Sequence, residues 1–315
     1  MTDRSVVQGR IPFAIQEAFI ETPFERRFQG AVRNVWVNRS WQVISAVPGS
    51  GKSTGLADLY LGSGAYKDRA GKTYQPLIVI RAPKNNAGEQ ALGLALSAAM
   101  GWVRPMAWNV RRILIVEEMA RISVECIIID DAHDLTTDHL RLIKELTDNL
   151  AAPPYMRRVG LGFVAAHGGD VVPLQDVFKT PVTFWQQFYE RMDTEHPFRA
   201  IDGHTLQEVR DILTAFEDLY RSQLPDLQLR RWGKEIYGWL TNSILDLDRT
   251  HRVTMGHLTR FVTSALHRAY NQGATDVNAQ ILQETADLMI YRRDDLFHIG
   301  GDTDSEEQPP AQEVG

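Results

Sequence analysis

The sequence predicts an α/β protein, a parallel five-stranded sheet flanked by helices, followed by a small all-helical domain. Two observations carry that prediction. Up to about residue 202, short runs nearly continuous in apolar residues alternate with helical patterns. That is the signature of parallel strands buried on both faces. From Thr205 onward only helical spacing recurs.

The elements follow in order. Thr22 to Val37 reads as a helix, because Phe24, Phe28, Val32 and Val35 recur at spacings of three and four. Trp41 to Ala46 (WQVISA) is the first strand, followed by a glycine-bearing turn and a helix from about Lys52. Leu77 to Ala82 is the second strand, with helices over about 88–100 and 109–121. Cys126 to Asp130 (CIIID) is a short apolar strand ending in acid. The helix from Thr137 to Leu150 stops before Pro153 and Pro154. Val159 to Ala165 is the fourth strand and Phe198 to Ile201 a short fifth. Beyond Thr205, helical spacing links Leu206, Val209, Ile212, Leu213, Phe216 and Leu219, and again Met255, Leu258, Phe261, Val262, Ala265, Leu266 and Ala269. A last helix covers about 277–292. The expected organisation is an α/β domain with an N-terminal helical extension over 1–202, a helical domain over 203–300, and a disordered acidic tail over 301–315.

Composition bounds the function. With 315 residues, 43% hydrophobic and 23% charged, the chain is neither fibrous nor wholly disordered. No stretch approaches the roughly 18 apolar residues of a membrane helix, and the start lacks the apolar core of a secretion signal. A cytoplasmic protein with no membrane partner is expected. The single Cys126 excludes an internal disulfide framework and a multi-cysteine zinc site; it reads as a packed strand residue. The net charge of −6 is local in origin: residues 301–315 carry five acids and no Lys or Arg, so the rest of the chain is near neutral at −1. Between residues 62 and 112, Lys67, Arg69, Lys72, Arg81, Lys84, Arg104, Arg111 and Arg112 face only Asp68 and Glu89, a local +6. Such a segment is compatible with DNA and also with an ordinary solvated face.

The strongest motif is AVPGSGKST, Ala46 to Thr54, placed after a strand and before a helix. This is the context of a phosphate-binding loop of the form GxxxxGK[ST]. Pro48, Gly49, Ser50, Gly51, Lys52, Ser53 and Thr54 are the expected nucleotide-binding residues. The glycines let backbone N–H groups curl around phosphates, Lys52 neutralises β- and γ-phosphate charge, and Ser53 offers a hydroxyl to Mg²⁺. The helix N-terminus adds its positive end. Ala46 stands where the motif has its first glycine, a position that closes the turn more than it touches phosphate. ATP and Mg²⁺ are the expected ligands.

The partner of such a loop is an apolar strand ending in acid, supplied by VECIIIDDAHDL. Asp130 is expected at the metal with Ser53. Asp131 stands where this class of ATPase usually has a glutamate that orients the attacking water; the other reading is a helix-capping acid. His167, at the end of the fourth strand, is a candidate sensor of the γ-phosphate or a plain loop residue. His133 is given no role.

These pieces together resemble the AAA+ ATPases, and more closely the TniB/TnsC/MuB group of DNA-transposition regulators. The resemblance runs from about Thr22 to Met289. It is carried by the helix before the loop, LIVIRAPKNNAGEQALGLALSAAMGW, CIIIDDAHDL, and MGHLTRFVTSALHRAYNQGATDVNAQIL. It implies an ATPase that assembles as rings or helical filaments on double-stranded DNA and works with a transposase and a target-selection protein. It also implies an arginine reaching a neighbouring subunit's nucleotide, for which Arg191 in FYERM fits, with Arg199 second, and a lid arginine, for which Arg260 fits. Lys84, Arg104, Arg111 and Arg112 are the expected DNA contacts, made to phosphates rather than bases. Asp131 leaves the hydrolysis rate open. The alternatives are another DNA-associated AAA+ ATPase of initiator or loader type, and an ATP-switched oligomeric scaffold with little hydrolysis. A two-motor helicase, suggested by DDAH, does not fit 315 residues.

Overall fold

In a computed structural model, residues 13–15, 20–84, 87–167 and 172–299 are described, with side chains to residue 291. The tail expected over 301–315 lies outside them. The chain divides into two compact units. One spans residues 21–203, and the other joins residues 204–299 to those described among the first 20.

The larger unit opens with α1 (Pro23–Asn38), whose N-terminus is set by Pro23 and by Thr22 Oγ1 accepting the Glu25 N–H at 3.2 Å. Then come β1 (Trp41–Ala46), α2 (Lys52–Ser63), a two-stranded hairpin of β2 (Tyr66–Lys67) and β3 (Thr73–Tyr74), and β4 (Leu77–Arg81). They are followed by α3 (Glu89–Ala99), α4 (Trp108–Arg121), β5 (Cys126–Asp130), α5 (Thr137–Ala151) and β6 (Gly160–Ala166). The unit closes with α6 (Gln175–Lys179), α7 (Thr183–Tyr189) and β7 (Phe198–Ile201). The five-stranded sheet is parallel throughout, in the order β4-β5-β6-β1-β7.

Alternation along the strands divides the core in two. Val43, Ile78, Ile80, Ile127, Ile129, Leu161 and Phe163 face one way and pack with residues of α3, α4 and α5. Ile44, Ala46, Leu77, Cys126, Ile128 and Val164 face the other way, under α1 and α2. α1 crosses β6 so closely that a Cβ on Gly160 would lie 2.3 Å from the Val35 carbonyl oxygen. A larger residue cannot stand there without moving the helix. Burial pushes the Cys126 thiol pKa up, as expected of a packed strand residue.

The second unit holds α8 (Leu206–Tyr220), α9 (Gly233–Leu240), α10 (Met255–Asn271) and α11 (Ala279–Ile299) around Phe216, Phe261, Leu266 and Ile281. Thr205 and Glu208 form a capping box at the start of α8. The helical extension, α1, belongs to the larger unit, as the sequence predicts. The residues before it do not: Phe13 stacks on Tyr220 at 5.5 Å, and Ala14 and Gln223 exchange hydrogen bonds of 3.0 and 2.9 Å. An aromatic side chain there finds its apolar partners on the helical unit. No helix among the described residues is long and apolar enough to cross a membrane.

Candidate nucleotide-binding site

The loop after β1 turns on two glycines. Gly49 has φ +74° and Gly51 φ +105°, values that L side chains rarely adopt. At Gly51 a Cβ would meet nothing within 4 Å, so backbone conformation alone calls for glycine. Gly51 caps α2, and Lys52 is its first residue. Lys52 is only 8% exposed. Its Nζ donates to the carbonyls of Ala46 (2.9 Å) and Val47 (3.1 Å). Burial lowers its pKa, while the nearby Asp130 and Asp131 carboxylates act in the opposite direction. Pro48 and Thr54 are exposed at the rim, and the buried Ser50 Oγ has no hydrogen-bond partner among the described residues.

The strand tips bring the acids to this loop. Ser53 Oγ donates to Asp130 Oδ2 at 2.9 Å. Asp131 takes a left-handed backbone, φ 53°, ahead of a single 3₁₀ turn (Ala132–Asp134), and makes no side-chain cap bond to it. Its carboxylate instead accepts from Arg81 Nε at 2.6 Å. Strand register explains this: Arg81 at the end of β4 is paired with Asp130 at the end of β5. Nothing in the residue pattern singled out Arg81. The available signal was a charged residue closing an apolar strand beside the acidic one. His167 joins the site through its backbone, donating to the Ala46 carbonyl at 3.2 Å. His133 is exposed.

Arg191 and Arg199 stand elsewhere in the larger unit. Arg191 is at the opposite end of β1: its carbonyl accepts the Trp41 N–H at 3.0 Å, its guanidinium lies 5.0 Å from the Trp41 ring centroid, and it pairs with Asp148 at 2.5 Å. It lines a polar cleft of about 810 Å³ with Arg39, Lys144, Asp148, Arg158 and Glu190. Arg199 is half-buried on β7, beside Ile44 of β1. Arg260 is exposed on α10 in the helical unit.

Two of the four expected DNA contacts have partners within the chain. Arg111 is 9% exposed, donates to the Arg104 carbonyl at 2.7 Å and lies over the Trp102 ring. Arg112 is paired with Glu145 and Glu89 and lies over Trp108. Both hold α4 in place. Lys84 and Arg104 remain exposed.

The residues present fit a nucleotide phosphate chain and a divalent cation. Two left-handed glycines open the loop backbone, a buried lysine stands at its end, and a hydroxyl and a carboxylate meet 2.9 Å apart. Fold and loop together define the class, the AAA+ P-loop NTPase fold. No family model and no curated protein matches the chain. Among solved structures it is similar to the Aeropyrum pernix ORC1 protein in complex with DNA, at 12% identity and TM-score 0.54, covering 86% of this chain and 66% of that one. It is similar to the Aeropyrum pernix ORC2 protein in its ADPNP–ADP complexes, at 13% identity and TM-score 0.55, covering 89% and 70%. It is also similar to Drosophila ORC bound to DNA, at 12% identity and TM-score 0.52, covering 91% and 70%. The chain thus spans about two thirds of the length of these structures.

Proposed function

We propose that this chain is a DNA-associated ATPase that binds ATP and Mg²⁺ at the loop and assembles with copies of itself on duplex DNA. The observation that carries the nucleotide reading is the Ser53–Asp130 contact of 2.9 Å beside the buried Lys52, where the start of α2 meets the tip of β5. Among the described residues no three His, Cys, Asp or Glu side chains are placed to hold a metal on their own. A magnesium ion held by Ser53 and Asp130 would complete its shell with phosphate and water, supplying positive charge beside the scissile phosphate. Backbone N–H groups of Gly49 to Gly51 bind phosphate oxygens, and Lys52 neutralises their charge. Asp131 orients the attacking water once its carboxylate leaves Arg81. His167 reads the γ-phosphate side of the loop. Arg191 acts on a neighbouring copy's nucleotide, with Arg199 as the second candidate.

Two of the similar structures are described as DNA complexes and one as holding ADPNP and ADP. They support the broader alternative, a DNA-associated ATPase outside transposition, better than the narrower reading. A transposition regulator partnered by a transposase and a target-selection protein rests on the four resembling segments alone. Electron imaging of the protein with ATP, Mg²⁺ and duplex DNA tests the proposal. Rings or filaments along the DNA are expected with wild type and not with Lys52→Ala; ATP-bound single copies indifferent to DNA would overturn it.

A further inference from the structure

The cations of the +6 segment do not stand equal once their partners are known. Arg81 is held by Asp131, Arg112 by Glu145 and Glu89, and Arg111 is buried against Trp102. Lys67, Arg69, Lys72, Lys84 and Arg104 are exposed and make no ion pair among the described residues. Three of these five sit on one nine-residue feature, the β2–β3 hairpin YKDRAGKTY (66–74).

The hairpin is built to hold its shape without a core. Asp68 Oδ1 accepts the N–H groups of Ala70 and Lys72, both at 2.9 Å, and Gly71 supplies φ +80°. The hairpin's one carboxylate ties the turn, and with its charge counted the hairpin keeps a net +2. Tyr66 and Tyr74 are cross-strand partners with rings stacked at 5.4 Å and 13°, and Lys72 Nζ lies 4.8 Å from the Tyr74 ring centroid. Tyr66 remains 57% exposed. Stacked tyrosines on the surface stiffen the hairpin, and Lys72 stands over one of the two rings. The ligand that fits is one with closely spaced negative charges and no demand for an apolar pocket. A two-stranded ribbon with three unpaired cations and two phenols suits the sugar-phosphate backbone of duplex DNA.

We propose that the β2–β3 hairpin is a duplex-DNA backbone contact of this protein, made by Lys67, Arg69 and Lys72. It rests on the reading of the chain as DNA-associated. The hairpin also follows directly from α2, whose first residue is Lys52. One helix of about 18 Å therefore joins the nucleotide loop to the DNA contact.

The test is fluorescence anisotropy of labelled duplex DNA with the full chain, ATP and Mg²⁺, over a range of salt. It compares wild type, K67Q/R69Q/K72Q and the charge-conserving K67R/R69K/K72R. Three lost phosphate contacts should weaken binding at least tenfold near physiological salt and lower the salt slope by about 3, equally on unrelated sequences. The charge-conserving variant should bind as wild type does, and nucleotide affinity should be the same in all three. If wild type binds and the glutamine variant binds with the same affinity and slope, the hairpin inference fails while the DNA reading stands. If wild type itself does not bind, both fall. A loss confined to one DNA sequence would overturn the backbone contact, and so would tighter binding to single-stranded RNA than to duplex DNA.

Discussion

Arg81 Nε lies 2.6 Å from Asp131 Oδ2, so the acid expected to orient water is engaged by a cation from the neighbouring strand. The pairing comes from the register of β4 and β5 and from the left-handed backbone of Asp131. Arg81 is 81% exposed and Asp131 24%. A pair this open to water is worth about 0–1 kcal/mol, enough to bias the acid and too little to lock it.

Replacing Arg81 by Ala should therefore raise the fraction of free Asp131, and with it basal ATP turnover, by up to about fivefold. Asp131→Asn should lower turnover sharply, and the double variant should be as slow as Asp131→Asn alone. Phosphate-release rates for the three variants check this. An Arg81→Ala enzyme slower than wild type would show that the ion pair assists turnover.

Lys52→Ala removes the one buried cation of the loop. With charge-assisted hydrogen bonds worth about 1.5–3 kcal/mol, ATP affinity should fall by roughly 10- to 150-fold. Titration calorimetry with a non-hydrolysable analogue reads this directly, and an unchanged affinity would contradict the site.

Two glycines should respond with opposite signs. Gly30 is exposed inside α1, and a Cβ there meets nothing within 4 Å. Gly30→Ala should stabilise the fold by about 0.5–1 kcal/mol. A Cβ on Gly160 would run into the backbone of α1, so Gly160→Ala should cost about 1–3 kcal/mol. Denaturant melts of the two variants give the comparison.

Glu25 is buried on α1, where Gln29 Nε2 reaches both Glu25 Oε1 at 3.4 Å and Asp58 Oδ2 at 2.8 Å. Burial, followed by the Asp58 charge, pushes the Glu25 carboxyl up from 4.5 to about 7. The fold favours the protonated form. Its contribution is complete below about pH 4.5 and is lost as pH rises to about 7. Glu25→Gln, neutral at every pH, should remove this fall in melting temperature between pH 4.5 and 7 and be the more stable chain at pH 8. An identical pH profile in the two proteins would show that Glu25 does not titrate in this range.

The parts of the fold legible in the sequence were those with strong local patterns. The strands WQVISA, LIVIR and CIIID are apolar runs bounded by charge or turns, and β1, β5 and β7 run between the expected residues. The β2–β3 hairpin escaped notice because two-residue strands have no periodicity. α6, α7 and α9 are five, seven and eight residues long, too short for a helical period to repeat. At the site, the loop and Asp130 were legible because phosphate chemistry dictates residue types at fixed spacing. Arg81 and the partners of Arg111 and Arg112 were not. Ion pairing depends on which strand ends and helix faces meet, and those contacts join residues such as Arg112 and Glu145 that are 33 positions apart.

The most direct test of the central claim is the initial rate of phosphate release from ATP with Mg²⁺ while duplex DNA is titrated. The expected result is release by wild type that exceeds that of Lys52→Ala and changes with DNA concentration. Wild-type release equal to that of Lys52→Ala at every DNA concentration would contradict it.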